Sequence, residues 1–364
     1  MGIFALVACV PAGFTDDDKA LLGTLSPIPA PAPSPTNRFA DDPGAAALGE
    51  VLFSDAGLSA DGERSCATCH SPDRHFTDGN PVATAIGVGT RNVPTAEAAA
   101  WQTWFFWDGR ADSAWAQATG PLTNPIEMGN TAEGVHARVV EAHLPAFEAV
   151  FGPMPADPPA TLALVGKALE AFERTLSPGA SRFDRYVAEI QATGTSGLFT
   201  DAESRGLRAF LDHGCVNCHN GPLLTDHSFH NLGVQQVTNG GFDVGRSVGA
   251  VKLSRDPYNC LGAYSDAPSL PDGPRDCPEL RYLDVTFVDW LQAFKTPTLR
   301  NVALTAPYMH DGSLPTLESV LDFYSELPGK PIVGHRELTL EPLDLSEGER
   351  ADLVAFLGTL NSER

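Results

Sequence analysis

Two five-residue segments, Cys66-Ala67-Thr68-Cys69-His70 and Cys215-Val216-Asn217-Cys218-His219, repeat the pattern C-x-x-C-H at a distance of 149 residues. The pattern is built from scarce residue types, 7 Cys and 10 His in 364 residues, so its double occurrence is specific. Two thiols three residues apart can add to the two vinyl groups of a haem, and the His that follows then meets the iron from the proximal side. A zinc site would need four ligands in closed geometry, and the two halves are too distant in the chain to be assumed partners. A redox dithiol would sit in a βαβ unit, and no β alternation of any length is visible. Two covalently bound haem c groups are therefore expected.

Three further cysteines bear on location. Cys9 closes the apolar stretch Gly2 to Cys9, whose Leu6-Val7-Ala8-Cys9 resembles the pattern before a lipidated cysteine. The stretch is short for an export signal and lacks a basic start, so a frayed apolar terminus with a free thiol is the other reading. Cys260 and Cys277 read as a disulfide pair, with two free thiols as the alternative. Haem attachment and a disulfide both fit an exported, periplasmic location, with or without a lipid anchor. No later stretch reaches about 18 consecutive apolar residues, so no transmembrane helix is expected. With 46 acidic against 24 basic residues the net charge is −22, a surface that repels phosphate backbones and excludes nucleic acid as a partner.

The rest of the chain reads as mainly α. The 34 Gly and 30 Pro predict long loops between short helices. Residues 1–13 form the signal-like remnant and 14–40 a Pro-rich segment, with the stiff run Pro27 to Pro35 at its centre. A first body helix is expected near Pro43, with Leu48, Val51 and Leu52 on one face. Thr131 to Val150 and Thr161 to Leu176 read as amphipathic helices, the second carrying Leu162, Val165, Leu169 and Phe172. Capping boxes at Thr200–Glu203 and Ser346–Glu349 open two more, the first running into Cys215. Each C-x-x-C-H is placed just after a helix. Two cytochrome c-like helical domains are expected, 41–196 and 197–364, each binding one covalent haem c.

Further motifs extend the pattern. They are Arg91-Asn92-Val93-Pro94-Thr95, Phe106-Trp107-Asp108-Gly109-Arg110, Asn124-Pro125-Ile126-Glu127-Met128, the run Thr298 to Tyr308, and His310-Asp311-Gly312. With the two C-x-x-C-H segments they resemble the bacterial di-haem cytochrome c peroxidase and MauG family, over residues from about 40 to 360. The resemblance implies an oxidoreductase that uses hydrogen peroxide at the N-terminal haem.

An enzyme that splits peroxide needs an open iron and a carboxyl group that takes a proton from one oxygen and returns it to the other. The resemblance gives that role to Glu127, with Gln117 and Pro121 lining the same pocket; a solvated loop acid is the plainer reading of Glu127. Met128 is placed in packing beside it. The loop Thr77 to Thr90 contains no His, and His75 is too close to His70 in sequence to reach the opposite face of one ring. The N-terminal haem is thus expected to be five-coordinate.

Fourteen residues after His310 the family's peroxidases place a Met and MauG a Tyr; here the position holds Tyr324. A thioether raises a haem potential, whereas a phenol oxygen favours the ferric state and storage of an oxidising equivalent. Tyr324 also lies on the helical stripe Leu317, Val320, Leu321, so a core position is the alternative, and Met309 is a rival ligand. Trp107 matches the family's electron-relay tryptophan, against an ordinary buried aromatic. Asn92, Thr305 and Pro307 match an interdomain Ca²⁺ site, and oxygen donors of that kind suit the ion. One departure stands out: His213 occupies the place of the surface Trp through which MauG oxidises its protein substrate. The expected partners are peroxide and either an exported electron donor, a cytochrome c or copper protein, or a protein substrate oxidised at an aromatic side chain. A di-haem electron carrier without peroxide chemistry is the alternative function.

Overall fold

Helix caps written into the sequence set the frame. Thr200 accepts from the Glu203 amide while the Glu203 carboxylate accepts from the Thr200 amide, and Ser346 and Glu349 repeat this arrangement. Asp42 caps the first body helix through the Ala45 amide, with Pro43 at its first position. The computed structural model describes residues 14–234, 237–238, 241–269 and 275–363; Cys9 and the signal-like stretch 1–13 lie outside the described residues.

The molecule is mainly helical. In chain order the helices are α1 (Asp16–Thr24), α2 (Pro43–Phe53), α3 (Cys66–Cys69), α4 (Ala114–Thr123), α5 (Ala132–Arg138), α6 (Leu144–Phe151) and α7 (Pro158–Glu173). Then come α8 (Arg182–Thr193), α9 (Asp201–Asp212), α10 (Arg246–Arg255), α11 (Pro278–Arg281), α12 (Leu317–Glu326) and α13 (Glu347–Gly358). Strand among the described residues is confined to two-residue segments: β1 (Phe229–His230), β2 (Val237–Thr238), β3 (Gly241–Phe242) and β4 (Phe294–Lys295). Both pairs, β1 with β4 and β2 with β3, are antiparallel.

Two apolar cores form around two helix crossings. In the first, α2 crosses α7 and buries Leu48, Leu52 and Phe53 against Leu162, Val165 and Leu169. In the second, α9 crosses α13 and buries Leu207 and Phe210 against Leu353, Phe356 and Leu357. Each crossing is made close by a glycine. A Cβ at Gly49 would stand 2.0 Å from the Ala168 carbonyl oxygen, and one at Gly206 1.9 Å from that of Asp352. Backbone meets backbone at both points, so neither neighbour can yield by changing a rotamer.

Several details differ from the sequence reading. Val51 faces outward, because the buried stripe of α2 passes through Leu48, Leu52 and Phe53. The expected helix over Thr131 to Val150 is broken into α5, a π-helical turn at Val139–His143, and α6. Pro145 near the start of α6 has no N–H and crowds the carbonyl four residues back, which widens the preceding turn. The first C-x-x-C-H does not directly follow a helix: α2 ends at Phe53, and Cys66 itself begins α3. The cores also divide before the 196/197 boundary, since Phe183, Tyr186, Val187 and Ile190 of α8 belong to the second.

The segment 14–40 begins with a helix that the sequence reading did not include. Leu22 and Leu25 tie α1 into the second core, and Arg208 holds Asp18 at 2.9 Å. The Pro-rich run then lies along the body, where Trp101 Nε1 donates to the Pro29 carbonyl and Arg174 to that of Ala32. Between the halves, Arg91 pairs with Asp243 at 2.7 Å while Asp108 of its own half holds it at the same distance, and Asn301 donates to the buried Glu97 at 2.6 Å.

Gly49→Ala and Gly206→Ala should each destabilise the protein by about 1–3 kcal/mol, the range for overpacking a filled contact. Thermal melts of the two variants check this; melting temperatures equal to that of the unsubstituted chain would contradict it.

Candidate functional site

Both cysteine segments open onto one continuous cavity of about 870 Å³. The two ends are built alike. At the first, α3 presents Cys66 and Cys69 on a single turn, and His70 caps it with its ring half-buried in the cavity wall. The His70 Nδ1–H donates to the Phe76 carbonyl at 3.0 Å, which leaves Nε2 for the cavity. At the second, Cys215–Asn217 forms a 3₁₀ turn, and the His219 Nδ1–H donates to the Leu224 carbonyl at 3.0 Å. A carbonyl oxygen can only accept, so each bond fixes the tautomer whose Nε2 lone pair is free. Burial pushes both imidazoles below their ordinary pKa, toward the neutral form a metal requires.

Burial pushes the Cys66 thiol up to about 12, and those of Cys69 and Cys215 to about 11. These are neutral sulfurs in an apolar lining, unlike the exposed, acidic thiols of redox sites. Paired thiols, an anchored imidazole and a large shared cavity fit haem c at both ends, the arrangement in which an outer hydrogen bond orients a metal-binding His.

Around the first end, α4 carries Gln117 and Pro121 one turn apart on its cavity side, and the turn after it brings Glu127 into the same lining. The Glu127 amide bonds the Asn124 carbonyl at 3.0 Å, which closes that turn. Burial raises the Glu127 carboxyl above its ordinary pKa, while the charge of Arg110 and the Asn124 side chain oppose the shift. Arg110 is itself fixed, with its guanidinium 3.5 Å from the Phe106 ring centroid and 3.0 Å from Asp108. Met128 is buried in the first core, and His75 is held at 3.3 Å by Glu97.

Tyr324, on α12, lines the cavity at the second end. Burial drives its phenol upward, and the Cys215 and Cys218 sulfurs add to the shift. In this pocket the oxygen keeps its proton unless a cation stands opposite. Leu317 and Leu321 from the same helix reach the second core, so α12 is anchored by its stripe and offers Tyr324 to the cavity. Met309 lines the cavity as well.

Trp107 also lines the cavity; its Nε1–H donates to the Asn92 carbonyl at 2.9 Å, and its carbonyl accepts from the Lys295 amide of the other half at 2.8 Å. Asn92, Thr305 and Pro307 all line the same cavity, and the Asn92 amide bonds the His310 carbonyl at 2.8 Å. His213 contacts Glu349 at 3.6 Å. Cys260 and Cys277 are joined as a disulfide with Cα atoms 5.9 Å apart.

Comparison with known proteins places this geometry. Residues 43–192 match the family described as di-haem cytochrome c peroxidase, and residues 293–326 a RoxA-like, cytochrome c-like family. The chain is 35% identical over 378 residues to the methylamine utilization protein MauG of Methylorubrum extorquens, covering 100% of this chain and 92% of that protein. This chain belongs to the di-haem cytochrome c peroxidase and MauG family. It is a MauG-like di-haem peroxidase-type oxidoreductase, and the cofactors of its family are two haem c. Among solved structures, a MauG-like protein associated with microbial copper homeostasis has 30% identity and a TM-score of 0.67, covering 92% of this chain and 94% of that one. The diheme peroxidase BthA from Burkholderia thailandensis E264 has 26% identity and a TM-score of 0.70, covering 91% and 89%.

Sequence reading missed one group in the lining of this di-haem peroxidase. Glu173, at the end of α7, is buried beside Cys66. The signal was available: four residues after Leu169, it is an acid on the apolar stripe. Burial, with the nearby Glu170 adding to it, raises its carboxyl from 4.5 to about 8. The unfolded chain releases this proton near pH 4.5, while the folded chain keeps it until about 8. Glu173 therefore costs stability as pH rises across that window. Glu173→Gln should flatten the fall in melting temperature between pH 5 and 8. Parallel melting curves for the variant and the unsubstituted chain across that range would contradict the assignment.

Proposed function

We propose that this protein reduces hydrogen peroxide at a haem held by Cys66, Cys69 and His70, and draws electrons through a second haem held by Cys215, Cys218, His219 and Tyr324. The two apolar cores then correspond to two cytochrome c-like domains, with the break between α7 and α8. A haem in each place would supply an iron that binds oxygen ligands and exchanges single electrons. The observation that supports this reading above all is that Gln117, Pro121 and Glu127 share the first cavity end with His70, while Tyr324 shares the second with His219.

The chain's own groups do the remaining work. His70 and His219 are each locked by a carbonyl, so the proximal Nε2 is aimed without rearrangement. Glu127 takes a proton from one peroxide oxygen and returns it to the other, which leaves as water. Its burial raises the carboxyl above its ordinary range, which favours the acid form it needs for giving the proton back, and the Arg110 charge opposes that shift. Gln117 and Pro121 border the space and limit the water that reaches it. Trp107, in the cavity lining, relays electrons, one at a time. Reduction of one peroxide to two waters consumes two electrons and two protons.

Asn92, Thr305 and Pro307 supply oxygen donors for one Ca²⁺ between the halves. The disulfide and covalent haem fit a periplasmic location, with Cys9 as a lipid anchor point. Tyr324, in the place of a thioether, favours a protein partner oxidised at the expense of stored equivalents. His213, in the place of an exit tryptophan, directs that transfer away from the MauG route.

Glu127→Gln tests the central step. It should slow the reaction with peroxide by about 10²–10⁴-fold, the range for a positioned acid–base group, with both haems retained. Stopped-flow rates equal to those of the unsubstituted protein would contradict the role. Cys66→Ala/Cys69→Ala should lower the pyridine haemochrome count from two haems per chain to one; a count of two would contradict attachment at that end.

A further inference from the structure

The segment 282–289 follows α11 and runs along the surface with its apolar side chains in solvent. Tyr282 is 79% exposed, Val285 39%, Phe287 43% and Val288 65%. Such a run is uncommon on a charged protein surface and marks a contact face. Its charged members are acidic: Asp284 and Asp289 lie within it, the latter 3.2 Å from His335, and Asp276 and Glu279 lie just before it. The nearest base in sequence, Arg281, is engaged by Asp276 at 3.7 Å.

This face connects inward. Phe287 packs edge-on against Trp290 at 5.4 Å. The Arg246 guanidinium lies 5.0 Å from Trp290, 4.4 Å from Trp104 and 4.3 Å from Phe229. Trp104 lines the cavity that holds both cysteine segments. A chain of contacts thus runs from solvent to the cavity, two aromatic groups bridged by one guanidinium, and it does not pass through His213. Arg246 is buried and donates to the Asp108 and Gly109 carbonyls, next to Trp107. A cation against both indole faces disfavours removing an electron from either ring, so neither tryptophan is left oxidised as electrons cross.

We propose that the face formed by Tyr282, Val285, Phe287 and Val288, with the Asp284 and Asp289 carboxylates around it, is where the electron donor docks. The occupant is a small redox protein with an apolar centre and a basic rim, the complement of an acidic-rimmed apolar patch on a chain of net charge −22. This rests on the peroxidase reading above. The donor gives one electron per encounter across Trp290 and Trp104, which Arg246 holds on either side of its guanidinium without itself changing oxidation state, and two encounters supply the two electrons that one peroxide consumes.

The test uses the di-haem holoprotein with a reduced, basic c-type cytochrome of mitochondrial type as probe. Zero-length carbodiimide cross-linking without peroxide should join Asp284 or Asp289 to lysines of the probe. Val288→Lys and the double variant Asp284→Lys/Asp289→Lys should each raise the KM for the cytochrome at low salt about tenfold or more. All are surface positions, so folding is not at issue. Cross-links mapping elsewhere, or an unchanged KM in both variants, would overturn the docking face. Mixing the unsubstituted holoprotein with peroxide and no cytochrome separates the two claims: an unchanged spectrum there overturns the peroxidase reading itself.

Discussion

One hydrogen bond, made twice, organises the molecule: an imidazole Nδ1–H given to a backbone carbonyl. His70 is held by Phe76 and His219 by Leu224, each within six residues of its own C-x-x-C-H. Because the acceptor belongs to the local loop, each imidazole is oriented by its own segment of chain. The loops in turn hang on the helix crossings. Phe76 is buried in the first core with α2 and α7, and Leu224 in the second with α9 and α13. The glycines at those crossings are therefore part of the site's architecture, since they set how closely the framework can pack behind each imidazole.

From this common plan the two ends diverge through the residues opposite. One end receives an acid from a turn, the other a phenol from a helix. The turn is short and closed by backbone bonds, from the Glu127 and Gly129 amides to the Asn124 carbonyl and from the Met128 amide to that of Pro121, so Glu127 is placed by local geometry. Tyr324 is placed by the anchored stripe of α12. Between them the halves are clamped by Arg91, which is held by Asp108 of its own half and reaches Asp243 of the other, and by Glu97, which meets His75 on one side and Asn301 on the other. These are mostly buried pairs, and removing one partner would leave a costly charge in a dry interface. The continuity of the cavity depends on that interface staying in register.

Much of this was legible in the sequence. The capping boxes before α9 and α13 state their own starts, and the C-x-x-C-H spacing states its chemistry. The family was readable because its motifs are short runs around chemically constrained residues, such as Trp107 within Phe106 to Arg110 and Tyr324 counted from His310. What escaped has physical reasons. The break between α5 and α6 hides in a periodic apolar pattern that one Pro interrupts. Helix α1 has a weakly amphipathic sequence and forms where Leu22 and Leu25 meet distant α8 and α9. The grouping of α8 with the second core depends on contacts across the chain, which the local sequence before residue 196 does not reveal. Arg246 gave no local sign at all, because its cage is assembled from Trp104, Phe229 and Trp290, which are far apart in sequence.

The account stands on unequal ends within one cavity: an accessible face beside Glu127, and a face closed by Tyr324. Electron paramagnetic resonance of the resting ferric holoprotein tests that most directly. The account predicts one high-spin signal, from the His70 site, together with one low-spin signal from the site of His219 and Tyr324. Two low-spin signals with no high-spin component would contradict it.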